Sequence, residues 1–215
     1  GRARAEVGTA MSVGPEVMTR ALRWLRPLRQ SPGPEHRSVF VVDIAGFGRW
    51  NDPTQLRARQ VLRHAVRSGL RAAGVRWSEL AVHDRGDGMM VLVPASVSKL
   101  DLLDPAIPAM IAVLRRHNAA VAPEQHIRVR LALHAGEVQR DPHGWVGADV
   151  NTACRLADSA PVREHLTGEA VLVVSEVIYQ GVVRHGYRRV DPNAYHRVEV
   201  SLKELHAAAW VTNRF

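Results

Sequence analysis

The chain of 215 residues holds one cysteine, Cys154. This excludes an intrachain disulfide framework and fits a reducing, cytoplasmic compartment. Lysine is nearly absent: of 29 Lys and Arg residues only Lys99 and Lys203 are lysines. The arginines are spread along the sequence in the manner of coding bias, so the formal net charge of +8 names no nucleic-acid partner. No apolar run reaches the length of a membrane span. Residues 1–10 lack the apolar centre of a signal peptide, and a natural start is expected near Met11. What the chain does have is 46% hydrophobic residues, enough to bury the core of one domain with an appendage.

That core is organised around residues 38–50, SVFVVDIAGFGRW. Val39 to Val42 is a β-branched and aromatic run that reads as a buried strand. It delivers Asp43 into Ala45, Gly46, Phe47 and Gly48, a turn whose N–H groups suit a phosphate. An acid beside such a turn suits the accompanying metal. The plainer reading is an ordinary turn with Asp43 as a cap. Upstream, 15–30 has helical spacing with Arg20, Arg23, Arg26 and Arg29 recurring along it. Packing on its own domain is the favoured reading of this basic amphipathic helix, over contact with a membrane surface. A Pro/Gly linker follows, so 1–36 is read as the appendage and 37–215 as the domain.

Within the domain, 53–73 reads as a helix capped by Asn51 or Asp52 and ended by Gly74, with Gly69 out of character inside it. Strands over 79–84 and 89–93 make a tight hairpin around Arg85-Gly86-Asp87-Gly88. Residues 100–121 are helical, with Pro105 and Pro108 delaying the regular start. Residues 127–133 alternate as a strand running into His134-Ala135-Gly136. A short helix spans 147–160, and a strand spans 171–174. Ser175 caps a helix over 176–184, and strands over 187–190, 197–200 and 208–212 close the chain. The alternation is α+β or α/β in character.

Asp43 and Asp87 each stand at the end of a strand in a glycine-rich turn. On neighbouring strands their carboxylates would converge, the usual protein share of a Mg²⁺ site that also binds substrate phosphates. Two such ions serve in-line phosphoryl chemistry. Asn151 and Arg155, four apart on one helix, share a face and offer an amide and a guanidinium to phosphate charge. The histidines show no metal-ligand spacing. His134 reads as a satisfied strand-end residue.

Taken in order, Phe40-Val41-Val42-Asp43-Ile44-Ala45-Gly46-Phe47, Arg85-Gly86-Asp87, His134-Ala135-Gly136 and Gly147-Ala148-Asp149-Val150-Asn151-Thr152-Ala153-Cys154-Arg155-Leu156 resemble the catalytic domain of class III nucleotidyl cyclases. The resemblance runs over 37–212. It implies a ferredoxin-like α+β fold, with a central, mostly antiparallel sheet flanked by helices. It also implies a head-to-tail homodimer in which each active site is built from two protomers. Asp43 and Asp87, with the Ile44 carbonyl, would hold two Mg²⁺ or Mn²⁺ ions per site. The backbone of Ala45, Gly46, Phe47 and Gly48 would hold the triphosphate. Contributed by the partner subunit, Asn151 would orient the ribose and Arg155 would stabilise the phosphorus under attack. Lys203 falls near the family's phosphate-binding lysine, in a tail that otherwise departs from the motif. The implied reaction turns a nucleoside triphosphate into a 3′,5′-cyclic nucleotide and pyrophosphate.

The departures fall where the family reads the base. His83 stands in place of Lys or Glu, and Gly144, beside Trp145, in place of Asp, Thr or Cys. The usual purine readout is absent. An unusual base follows, giving cyclic UMP or cyclic CMP as in bacterial antiphage cyclases. The alternatives are an adenylate or guanylate cyclase with relaxed purine readout, or a catalytically silent nucleotide-binding module. Retention of both acids, Asn151 and Arg155 argues for activity. A polymerase-like palm would need a Gly-Gly-acid-acid tip, which this hairpin lacks. A separately encoded activator or a cyclic-nucleotide effector is the partner implied beyond the substrate.

Overall fold

The computed structural model describes residues 33–215, so the basic helix expected over 15–30 lies outside the described residues. Pro34–Phe215 is one compact unit. Its first half is β1 (Glu35–Ile44), α1 (Asp52–Ala72), β2 (Ala81–Asp84), β3 (Gly88–Pro94), α2 (Ile107–Asn118) and β4 (Val129–Asp141). There follow β5 (Gly144–Val146), α3 (Ala148–Asp158), α4 (Ala160–His165), β6 (Ala170–Ser175), α5 (Glu176–Gly181), β7 (His196–Leu202) and β8 (Leu205–Thr212).

The eight-stranded sheet runs β2-β3-β1-β4-β6-β8-β7, with β5 paired to β4. Among the described residues only β4 and β6 pair in parallel. The β-α-β-β-α-β order with strands β2-β3-β1-β4 is the ferredoxin-like arrangement. The expected α+β class and mostly antiparallel sheet are what the chain forms.

β1 is central because its apolar run is wanted on both faces. Phe40, Val42 and Ile44 pack with Leu62, Val66, Met110 and Leu114 of α1 and α2. Val39 and Val41 pack with Val150, Ala153 and Leu156 of α3. Strand parity therefore puts Asp43 on the α3 face. β1 starts at Glu35, so Glu35 and His36 belong to the sheet.

α1 begins where Asn51 accepts from the Thr54 N–H at 3.1 Å, with proline in the first turn. It ends in a left-handed glycine, Gly74, with Val75 N–H on the Leu70 carbonyl and Gly74 N–H on that of Arg71, both at 2.9 Å. That is a Schellman cap. Gly69 has a packing reason: a Cβ there would lie 2.5 Å from the Ala106 carbonyl oxygen.

Several expectations are corrected. β2 starts at Ala81 because Trp77–Glu79 turns as a 3-10 segment, with Arg63 and Arg67 over the Trp77 ring at 5.4 and 5.2 Å. The helix expected from 100 is broken at Asp104, which is extended at φ −151°, and α2 starts at Ile107. β4 runs on to Asp141 because β1 pairs with it as far as Glu35↔Val138 and β5 takes over beyond. β5 and α4 had no counterpart in the sequence reading. Residues 187–190 are not a strand: Arg188 sits at φ +52°. There Arg188 and Arg189 turn onto Asp101 and Asp104. α5 stops at Gly181, and the Ser175 side chain makes no cap to it.

No helix among the described residues is long and apolar enough to cross a membrane.

Candidate active site

Asp43 sits opposite Gly88 in the β1–β3 register and opposite Arg130 in the β1–β4 register. The Ile44 N–H donates to the Asp87 carbonyl at 2.9 Å. The β2–β3 hairpin tip is thereby tied to the residue after Asp43. A Cβ at Gly88 would lie 2.4 Å from the Val42 carbonyl oxygen and 3.2 Å from Asp43 Oδ1. Glycine is what lets the hairpin close this far. The backbone of Asp87 is thus held beside the end of β1, near enough for its charge to act on the Asp43 carboxyl.

Arg130 donates to Asp43 Oδ2, and lies 3.8 Å from Asp158 at the end of α3. Burial pushes the Asp43 carboxyl above its usual range; Arg130 opposes the rise, and the negative charges of Asp87 and Asp158 add to it. A buried carboxylate with a second carboxylate beside it is a setting that a divalent cation relieves. The donors present, Asp43, Asp87 and the Ile44 carbonyl, are hard oxygens and fit Mg²⁺ or Mn²⁺. Among the described residues no group of three or more His, Cys, Asp or Glu gathers to hold a metal alone.

The adjoining turn takes its shape from Gly46 at φ +72°. Ala45 N–H is already engaged, donating to the Arg128 carbonyl at 2.8 Å. Gly46, Phe47 and Gly48 remain as the phosphate-facing candidates. Arg49 folds back over this turn, its Nε 3.3 Å from the Gly46 carbonyl oxygen.

Asn151 and Arg155 lie on α3, whose other side is buried against the sheet. Arg155 pairs with Glu204 at the tip of the β7–β8 hairpin, where Lys203 is the preceding residue at φ +54°. The structure thus brings Lys203 next to the partner of Arg155. Neither Asn151 nor Arg155 bonds to Asp43 or Asp87 within the described residues. Between the two clusters, Arg85 of the hairpin donates to Cys154 Sγ at 3.0 Å. Burial pushes that thiol up, with Arg85 opposing.

His83 and Gly144, expected to read the base, also meet. A Cβ on Gly144 would lie 3.4 Å from His83 Cε1, across 61 residues of sequence. Asp141 Oδ1 accepts from the His143 and Gly144 N–H groups at 2.7 Å each, which shapes the β4–β5 turn. Trp145 lies beneath Arg37, whose guanidinium carbon is 4.5 Å from the ring centroid.

Four partners escaped the sequence reading: Arg37 on Trp145, Arg130 on Asp43, Glu204 on Arg155, and Asp149 on His134. Arg130 had a signal, since alternation in IRVRLAL puts it on the α3 face with His134. Glu204, in a turn, had none.

No protein-family profile matches the sequence, and no curated protein matches it. Solved structures do. The guanylyl cyclase Cya2 superposes with a TM-score of 0.62 at 18% identity, over 85% of this chain and 92% of that one. The adenylate/guanylate cyclase/hydrolase from Silicibacter pomeroyi gives 0.60 at 14% identity, over 83% and 96%. The guanylate cyclase domain of RhGC from Catenaria anguillulae, solved with GTP, gives 0.53 at 20% identity, over 84% and 98%. The fold is the one these cyclase catalytic domains share.

Proposed function

We propose that this chain is a nucleotidyl cyclase, making a 3′,5′-cyclic nucleotide and pyrophosphate from a nucleoside triphosphate in the cytoplasm. The observation that carries the reading is the closure of the Asp87 hairpin onto Asp43 at the end of β1, in a fold shared with cyclase domains. Asp43, Asp87 and the Ile44 carbonyl would hold two Mg²⁺ or Mn²⁺ ions. When bound, these supply the charge that activates the attacking oxygen and steadies the leaving pyrophosphate.

The protein's own groups do the rest. The N–H groups of Gly46, Phe47 and Gly48 hold the triphosphate, as a glycine-bearing turn suits. Asn151 fixes the ribose so that its 3′-hydroxyl lies in line with the α-phosphate. Arg155 meets the negative charge that grows on the phosphorus oxygens, and Lys203 adds a cation at the same end. Asn151 and Arg155 have no bond to the two acids of their own chain. A head-to-tail homodimer supplies each pair of acids with the α3 of the partner subunit. Residues 35–215, from the start of β1, carry the activity.

Base choice falls to His83, the Gly144 backbone and Trp145. With no side chain at Gly144, one imidazole replaces the usual pair of purine-reading groups, and Arg37 holds the indole in place. This corner favours a pyrimidine, giving cyclic UMP or cyclic CMP as the signal of an antiphage system with a separate effector. Purine cyclisation by relaxed readout is the competing outcome.

The deciding experiment incubates the protein with ATP, GTP, CTP or UTP and Mn²⁺, with products identified by mass against 3′,5′-cyclic standards. One dominant cyclic pyrimidine is expected, lost in Asp43→Ala and in Asp87→Ala. A cyclic purine overturns the base assignment alone. No product from any of the four sinks the enzyme reading and leaves a nucleotide-binding module.

A further inference from the structure

The helix that carries Asn151 and Arg155 has an unusual start. Its N-cap is Gly147, at φ +148°, which has no side chain with which to cap it. A Cβ there would lie 3.1 Å from the Glu137 carbonyl oxygen, so the helix begins hard against β4. The task of fixing the first turn falls to Asp149. One of its carboxylate oxygens accepts from the Glu137 N–H at 2.7 Å, and the other bonds His134 Nε2 at 2.8 Å. His134, buried in β4 with 7% of its side chain exposed, bonds Ser175 Oγ through Nδ1 at 2.8 Å. Ser175 ends β6 and leaves its position at the head of α5 without a side-chain cap. Its hydroxyl goes to the imidazole instead. The carboxylate also needs room: a Cβ on Gly136 would come within 2.1 Å of it.

From this geometry we infer that His134 and Asp149 are positioning residues for catalysis, a clamp that sets where α3 starts on β4. Asn151 and Arg155, two and six residues further along the same helix, inherit that setting. A rigid helix carries a displacement of its first turn into both side chains at once. Transition-state contacts are sensitive to such shifts, and a misplacement of about 1 Å can cost about 100-fold in rate. The triphosphate turn and the base corner, which hold most of the substrate, lie outside the clamp, so affinity depends on it less than turnover does. The inference rests on the cyclase reading above, but the clamp itself is readable without it.

The test compares His134→Phe, Asp149→Ala, their double variant and His134→Gln in the full chain. Phenylalanine keeps the ring's bulk and removes both hydrogen bonds; glutamine keeps a nitrogen near the place of Nε2. Turnover and KM are measured on the preferred nucleotide, alongside amide hydrogen exchange across 148–158. The expected result is a 10- to 100-fold fall in kcat for His134→Phe and for Asp149→Ala, with KM within about twofold. The double variant should be no worse than either single one, and His134→Gln should recover most of the rate. Exchange in α3 should quicken while the central strands keep their protection. Gly136→Ala, which drives the carboxylate out, should copy Asp149→Ala. The clamp is overturned if α3 exchange stays at the wild-type rate, or if kcat falls only in proportion to folded protein. Should wild-type protein cyclise nothing, the cyclase reading fails, and faster α3 exchange in the variants would still establish the clamp.

Discussion

Arg155 illustrates how a single exposed contact sets the state of a functional group. Its partner Glu204 is 78% exposed, so the pair contributes at most about 1 kcal/mol. It nonetheless engages the guanidinium assigned to the transition state. Glu204→Gln should leave thermal stability unchanged and raise kcat/KM by no more than about fivefold. Added salt should lift the wild type toward the variant, since an exposed pair is screened. Equal rates at low salt would mean that Glu204 does not compete with substrate. Asp104 is the contrasting case. Arg189 donates to it and holds its carboxyl below the usual 3.8, with the Arg189 N–H helping against burial. A depressed carboxyl contributes stability that is complete above about 3.8 and is lost as pH falls through the lowered value. Asp104→Asn should therefore lower the melting temperature at neutral pH, and the loss should shrink as pH falls below 3.8, in a thermal series read from pH 7 down.

Gly69 shows how an element can obey packing against its own propensity. Inside a helix, alanine is favoured over glycine by about 1 kcal/mol. Here the added carbon would strike the backbone oxygen of Ala106 at 2.5 Å. Gly69→Ala should thus destabilise by about 1–3 kcal/mol, as overpacking does. Chemical denaturation showing a gain instead would mean that the two segments move apart at little cost. The same contest between local signal and tertiary demand explains what the sequence did and did not reveal. The run Val39–Val42, the capped start of α1 and the Asn151/Arg155 spacing are local signals, and each was legible. The length of β4 was not, because Glu137, Gln139 and Arg140 break its alternation and only pairing with β1 and β5 keeps it extended. Ser175 looked like a helix cap; an imidazole 41 residues away claims its hydroxyl instead. Of the candidate site, the acids and the α3 pair were named from spacing and resemblance, whereas Arg130 and Glu204, which pair with Asp43 and Arg155, come from distant parts of the chain.

On the proposed reading, catalysis is a property of two chains. Asp43 and Asp87 lie together at the end of β1, and Arg155 looks to the β7–β8 hairpin, so no single site residue reports on the assembly. Mixing does. Asp43→Ala and Arg155→Ala should each be inactive alone. Mixed and re-equilibrated, half of the dimers should be hybrids with one intact site, restoring about a quarter of wild-type activity. Continued inactivity of the mixture, with hybrids demonstrated, would place both halves of each site on one chain. Specific activity should also fall on dilution below the dimer's dissociation constant.

The chain's one thiol has a use that follows from where it lies. Cys154 sits on α3 beneath Arg85 of the hairpin that carries Asp87, half-buried and less acidic than a free thiol. A thiol reagent therefore has one target, where the Asp87 hairpin meets α3 of the same chain. Its reaction rate is a clock for the parting of hairpin and helix, slow in the closed fold and fast once Arg85 lifts away. Followed in native protein against each nucleotide, that clock would report whether nucleotide moves the Asp87 hairpin, without any product being formed.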